Sequence, residues 1–597
     1  MTTMTLPSAH RSPISRTVRW GLVSAVAIAV PMLFAPTLPP SPTLFNQAFA
    51  LFGWGAMLAM FAQALPTRSG QWETGLRALV TALLLVLAAN LASPLWTGLP
   101  YSIALTTSGA IAAALLAAIA GAALQRAGAG QQAFRAVCIG IVVAAAANAM
   151  VAVVQVYATS WADGAWIAGS SPIRATGNLR QSNHLCTLLF WGIVAVLWLG
   201  ETGAVRKFAV APIALLLMFG VMLSGSRMGI VGALLLAAWG LLDRSLSRNT
   251  RIALLLAPIV YGLMWAGGAV AARSTGQVFG GTARYDTGGV LSTTRYAYWA
   301  NLFDLIREVP WWGVGSGELN FAWTLTPFSN RSGEPFDHAH NLPLHFAVEL
   351  GLPLAAVVLG LLGWAICVAA INCFRSAQSG SSASPARPAL AMLVFVLLHS
   401  LLEYPLWHTY FLLPTAFAIG LCLGQAPQRN EAGSADSRPS GPSTAFRSAA
   451  LLLMLGAAFS VLDYFRVVPM FTPHDDSSLQ ERIASGQKSM LFSHHADYAA
   501  ATYLQDPQVR LKAIHRAAHN LLDSRLLISY ANALHATGDT ERAKYVAQRL
   551  LEFDTPQYPV ADAKVYFAAC RDLTLKDADR PYQCFAPQRK FTFADFR

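Results

Sequence analysis

Residues 206–244 read RKFAVAPIALLLMFGVMLSGSRMGIVGALLLAAWGLLDR: two apolar stretches joined by the turn Ser224-Gly225-Ser226-Arg227 and bounded by Arg206, Lys207 and Arg244. Stretches of this kind cross a hydrocarbon layer of roughly 30 Å as helices. Cationic side chains stay on the cytoplasmic side during insertion, so the flanking bases fix the orientation and leave the SGSR turn on the outer face.

The rest of the chain repeats this unit. Apolar stretches fall at 20–38, 44–65, 78–97, 102–124, 136–157, 183–200, 208–224, 228–242, 252–271, 342–373, 388–404, 408–424 and 448–466. Arg11, Arg16 and Arg19 precede the first. Arg68 and Arg77, Arg126 and Arg135, Arg206 and Lys207, Arg244 with Arg248 and Arg251, Arg375 and Arg387, and Arg429, Arg438 and Arg447 occupy alternate connectors. The N-terminus is therefore expected in the cytoplasm and the C-terminus in the periplasm. With 55% hydrophobic and 12% charged residues and a mean hydropathy of +0.45, the charge is about half that of a soluble chain, which excludes a soluble fold. The formal charge of +12 sits mostly in the cytoplasmic connectors, so it reads as a topology signal and not as a nucleic-acid surface. The first stretch reads as a retained helix, because its length and the spans that follow distinguish it from a cleaved leader.

The expected architecture is all-α: a polytopic membrane bundle of about 13 helices with a C-terminal soluble helical domain. Residues 1–424 form the core, with a large periplasmic loop at about 273–341. Residues 425–447 form a cytoplasmic linker rich in Ser, Pro and Gly, 448–466 the last span, and 467–597 the periplasmic domain. A second Ser- and Pro-rich cytoplasmic loop covers 378–388. Within the tail, LLISYANALHATGDTERAKYVAQRLLEFD at 526–554 resembles one tetratricopeptide hairpin, or equally a generic helical bundle. Five of the seven cysteines lie in or beside spans, and only Cys570 and Cys584 lie in the tail, where export would permit a bridge.

The polar residues gather on outer connectors. Arg174-Ala-Thr-Gly-Asn-Leu-Arg-Gln-Ser-Asn-His184 leads into a span, and helix-start N–H groups beside arginines suit an anion; lipid headgroups are the plainer occupant. Arg227 in the SGSR turn faces a water-filled cavity or snorkels to the interface. The long loop carries Arg295, Tyr296, Tyr298 and Trp299, then Pro310-Trp-Trp-Gly-Val-Gly-Ser-Gly317, then Asp337-His-Ala-His-Asn341. His338 and His340 are too few for zinc, which takes three or four donors; a proton-transfer or phosphate-binding role fits an imidazole better. His345 and Glu349, and His399 and Glu403, stand four apart, so each pair shares a helix face. Arg174, Arg227, Arg295 and His340 all open onto one face, and several cations around one cavity match a diphosphate.

These segments together resemble the bacterial superfamily of O-antigen ligases, O-antigen polymerases and protein O-oligosaccharyltransferases. The resemblance rests on Arg174 to His184, LSGSR at 223–227, Arg295 through Gly317, HAHN at 338–341 with Glu349-Leu-Gly351, and HSLLEYP at 399–405. QxNH at 181–184, the EYP segment and the exported tail are most similar to the PglL-type protein O-oligosaccharyltransferases. That resemblance implies an inner-membrane enzyme that transfers glycan en bloc from undecaprenyl diphosphate to Ser or Thr hydroxyls of pilin and other exported proteins. It implies no metal and no cofactor. It places the essential histidine at His340, an important tyrosine at Tyr404 and a functional glutamine at Gln181 or Gln155. Arg174, Arg227 and Arg295 would hold the diphosphate, with Asn183, His338, Asn341, Glu349 and Glu403 in support. An O-antigen ligase acting on lipid A–core, then a polymerase, then a transporter or flippase are the competing readings. Transport would spread polar residues along a path through the membrane, whereas here they collect at one end.

Overall fold

The computed structural model describes residues 16–65, 72–169, 173–276, 280, 293–331, 336–375, 384–424, 443–473, 476–555, 559–572 and 574–597. Arg11, Arg68, Arg429 and Arg438, most of both Ser- and Pro-rich loops and residues 281–292 of the long outer loop lie outside the described residues. Among those described the fold is helical, with an isolated bridge between Leu38 and Ser41 and no strand.

Among the described residues nine helices are long and apolar enough to cross a membrane: Arg16–Leu33, Leu44–Ala64, Thr74–Thr97, Tyr101–Arg126, Gly130–Tyr157, Ser182–Glu201, Arg248–Thr275, Leu342–Arg375 and Thr444–Met470. Four shorter apolar helices, Lys207–Leu223, Met228–Leu242, Ala386–Ser400 and Thr409–Leu423, occupy the remaining stretches read from the sequence. The chain is a polytopic helical membrane protein. In hydrocarbon every backbone N–H and C=O must be satisfied within its own segment, which leaves helices as the form these stretches adopt. Small residues set the close crossings, as lipid supplies no hydrophobic drive between helices. Gly121 and Gly420 bring Tyr101–Arg126 and Thr409–Leu423 together so closely that a Cβ on either would strike backbone of the other. Helix Ser182–Glu201 is almost wholly enclosed, so its N-terminus is held rigidly where the polar residues collect.

The 342–373 stretch reads as one span but is broken. Gly351 takes φ +75°, ψ 160° inside Leu342–Arg375. The cause is Pro353, whose ring has no N–H to give the Glu349 carbonyl. That carbonyl accepts instead from the Gly315 N–H (3.0 Å), Val348 accepts from the Val314 N–H (2.8 Å), and the Leu352 N–H donates to Pro310 (2.8 Å). The Pro310–Gly317 motif is thus a splint laid against the break. A Cβ at Gly313 would lie 2.5 Å from the Gly351 nitrogen, so the glycines are steric requirements. Gly351→Ala is expected to destabilise the protein by at least about 1–3 kcal/mol, read as a lower melting midpoint in detergent; an unchanged midpoint would contradict this account of the break.

Beyond the last apolar helix, Leu479–Gly486, Ser493–Tyr503, Pro507–Ala517, Ser524–Ala536 and Thr540–Phe553 form a helical tail. Four of these five helices start on side-chain caps: Ser478 with Glu481 in a capping box, then Asp506 before Pro507, Asp523 and Asp539. The tail shares one apolar core with the outer loop, in which Tyr298, Trp323 and Phe336 pack with Tyr530, Tyr545 and Phe553. Buried polar links accompany it. Glu318 meets His519 at 2.8 Å, Arg331 meets Glu552 at 2.9 Å, and the Tyr545 hydroxyl donates to the Leu325 carbonyl at 2.6 Å. Cys570 and Cys584 are bridged; the other five cysteines are free. Non-reducing peptide mapping of protein made in its native envelope should therefore return one Cys570–Cys584 cross-link; two alkylatable thiols there would contradict it.

Candidate functional site

Gln181 starts the enclosed helix: its side-chain oxygen accepts from the His184 N–H (3.1 Å), capping the first turn. This sets Asn183 facing outward. The Asn183 Nδ2 donates to Glu403 Oε1 (3.0 Å), and its Oδ1 accepts from the Ser226 hydroxyl (2.7 Å). Asn183 therefore ties the SGSR turn, with Arg227, to the segment carrying Glu403. Arg174 closes the other side through Nε to the Ser224 carbonyl (3.2 Å).

Glu403 is the hub. Helix Ala386–Ser400 ends before Pro405, and the Leu401–Glu403 turn folds the carboxylate inward until its side chain is 6% exposed. His340 Nδ1 lies 2.8 Å from Oε2, Arg295 forms an ion pair with Oε1, and Gln181 Nε2 donates to Oε2 at 3.4 Å. Burial alone would raise this carboxyl; the hydrogen bond and charge of His340 and the Arg295 guanidinium outweigh it and hold the group at about 2. It is ionised at any working pH. A carboxylate has no proton to give, so the proton in the 2.8 Å contact belongs to His340 Nδ1; when the ring carries that proton alone, Nε2 is an acceptor.

Tyr404 stacks on His338 with centroids 4.3 Å apart and meets His340 edge-on at 5.1 Å. Burial, then Asp337 and Glu403, push its phenol up to about 12, so at neutral pH it is a hydrogen-bond donor and not a base. Burial presses the Arg174 guanidinium below its ordinary value, Glu403 opposes that, and Arg227 adds to it. These three charges therefore sense one another.

The structure thus brings Arg174, Gln181, Asn183, Arg227, Arg295, His340, Glu403 and Tyr404 to one place. The neighbouring residues of the sequence reading do other things. His338 pairs with Asp337 (2.6 Å). Asn341 caps its helix and donates to the Leu401 carbonyl (3.1 Å). Glu349 pairs with His345 at 3.3 Å beside the splint. Arg180 donates to Asn46 and to the Ala35 carbonyl at 2.5 Å, fixing the first outer connector. The expected one-turn pairing of His399 with Glu403 does not form: the helix stops at Ser400, and His399 Nδ1 turns to the Thr187 hydroxyl at 2.9 Å. Gln155 is occupied with the Thr176 and Gly177 backbone amides and the Ala168 carbonyl, so of the two glutamines only Gln181 reaches Glu403. Ser226 carried no assigned role in the sequence; a hydroxyl in an outer turn gives no signal until its partner 43 residues away is known. Among the described residues no cluster of three or more His, Cys, Asp or Glu is placed to hold a metal.

Parts of the chain match known protein families and two curated proteins. Residues 212–359 match the family described as O-antigen ligase, 175–199 the protein glycosylation ligase family, and 388–565 the C-terminal part of the virulence factor membrane-bound polymerase family. The general O-oligosaccharyltransferase of Acinetobacter baylyi is 28% identical over 269 residues, 43% of this chain and 45% of that protein. The ComP-specific O-oligosaccharyltransferase of the same organism is 24% identical over 250 residues, 41% and 43% of the two chains. The aligned stretch thus spans less than half of either relative. Over these parts of its length the chain is similar to O-antigen ligases, to protein glycosylation ligases and to two O-oligosaccharyltransferases.

Proposed function

We propose that this protein transfers a preassembled glycan en bloc from undecaprenyl diphosphate to Ser or Thr hydroxyls of exported proteins such as pilin, at the periplasmic face of the bacterial inner membrane. One observation carries the reading: a buried carboxylate shared by His340 and Arg295, with Arg174 and Arg227 close by at the same helix ends. His340 Nε2 takes the acceptor's hydroxyl proton as the oxygen bonds to the anomeric carbon. The carbon–oxygen bond to the diphosphate breaks, and its electron pair leaves on the phosphate oxygen. Glu403 holds the imidazole in the required tautomer and balances it once protonated. Arg174 and Arg227, with Arg295 at the rim, offset the charge that develops on the leaving diphosphate. Tyr404 and Gln181 position the reactants.

The orientation rests on the alternate basic connectors, and the Cys570–Cys584 bridge suits an exported tail. The resemblance to O-antigen ligases supplies the second reading, in which the acceptor is lipid A–core. Purified protein given a polyprenyl-diphosphate oligosaccharide with pilin-like peptide and, separately, lipid A–core separates the two. The peptide should gain the mass of the glycan. A gain on lipid A–core alone would overturn the protein-acceptor reading.

A further inference from the structure

The helical tail reaches His340 by two routes that converge on Phe336. The first is a chain of hydrogen bonds. The Leu522 N–H, in the tail, donates to Asn320 Oδ1 (2.8 Å), and Asn320 Nδ2 donates to the Phe336 carbonyl (2.9 Å), four residues before His340. Asn320 is 3% exposed, so nothing in solvent replaces either bond. The second route is aromatic. Phe553 of the tail packs on Trp323 (centroids 5.6 Å), Trp323 on Tyr298 (5.3 Å), Tyr298 stacks on Phe336 (4.0 Å), and Phe336 meets the His340 ring edge-on (5.6 Å). Tyr298 and Trp299 complete the clamp by donating to the His338 and Ala339 carbonyls at 3.1 and 2.9 Å.

His340 needs this clamp. Its backbone sits at φ +50°, one of two non-glycine residues described with positive φ, and a side chain holds that region only where its surroundings over-determine it. Released, the backbone relaxes and the imidazole swings away from Glu403. We propose that the C-terminal helical segment is a positioning element for His340, acting through Asn320 and through the Phe553–Trp323–Tyr298–Phe336 stack. The proposal deepens the glycan-transfer reading and rests on it for the kinetic arm of its test. It gives the tail a part in the chemical step, where an acceptor-docking module would change only binding.

Asn320→Asp keeps the acceptor for the Leu522 N–H and loses the donor to Phe336; Phe553→Leu thins the stack from the tail side. Both are made in the full-length protein and compared with wild type for kcat, for KM of donor and acceptor, for melting midpoint, and for amide exchange over 336–341. Each variant should lose about 10–100-fold in kcat, the scale of a small misplacement of reacting groups, with both KM values held. In a His340→Ala background neither should lower the residual rate further. Amide exchange over 336–341 should quicken beyond what any fall in the global midpoint accounts for. Should Asn320→Asp lower the midpoint, Phe553→Leu decides. Wild-type kcat in both variants, a change confined to acceptor KM, or unaltered exchange would overturn the proposal. A wild-type protein that transfers no glycan counts against the functional reading alone, and the exchange measurement still decides this one.

Discussion

Glu403→Gln is expected to reduce glycan transfer by about 10²–10⁴-fold, the range of a positioned proton-transfer group, with His340→Ala at least as severe. The amide keeps the size of the side chain but not its charge. It can still accept from Asn183 or Arg295, yet it no longer fixes the His340 tautomer or balances an imidazolium beside Arg295. Acceptor and donor binding should survive, so the loss falls on kcat. The Glu403 charge also stabilises the fold through Arg295 and His340, so the rates are compared at equal amounts of folded enzyme. Nearly full activity in either variant would remove the pair from the chemical step. The pH profile gives a second reading of the same group. The folded carboxyl is held at about 2, below its ordinary value, so its contribution to stability is complete above the usual carboxylate range, declines as pH falls below that range and is gone once pH has passed through about 2. An activity loss centred between pH 4 and 6, roughly the span from carboxylate to imidazole, therefore reports a group other than Glu403.

The second large effect concerns the leaving group. Arg174→Ala and Arg227→Ala are each expected to cost about 10²–10³-fold in kcat, the scale of removing one donor from a preorganised charge-stabilising site. Arg174→Lys should recover part of it, since Lys keeps the charge and loses the Nε bond to Ser224 that aims the side chain. Arg180→Ala provides the contrast. Its guanidinium is spent on Asn46 and the Ala35 carbonyl, so its loss should lower stability more than rate. Kinetics in purified proteoliposomes at saturating donor separate these cases. Equal losses at Arg174 and Arg180 would mean that positive charge near the interface matters only in bulk.

The membrane architecture was legible because period and charge are local signals: apolar runs such as 208–224 and 228–242, and Arg206 and Arg244 on one side of the turn, can be read without knowing any contact. The gathering of Arg174, Arg227, Arg295 and His340 followed from topology alone. The partners inside that gathering did not. Glu403 lies 63 residues from His340 and 108 from Arg295, and helical spacing offered His399 as its mate. That inference fails because it needs the helix to continue past Ser400, where the chain instead turns ahead of Pro405. The break at Gly351 was present in the sequence as Pro353, four residues after Glu349; what could not be seen is that Pro310–Gly317 supplies the missing donors. The core shared by the tail and the outer loop joins residues some 200 positions apart, as in the Glu318–His519 pair, and no local pattern announces it.

The central claim is that separate outer segments form one outward-facing site for a diphosphate. A polyprenyl-diphosphate analogue carrying a photoreactive group beside the phosphates tests it most directly, with labelled peptides mapped after irradiation in membranes. Labels on the peptides that hold Arg174 to Asn183, Ser224 to Arg227 and Arg295, diminished by unlabelled donor, are the expected result. Labels on the cytoplasmic connectors around Arg206 or Arg248, or labels that unlabelled donor does not displace, would contradict it.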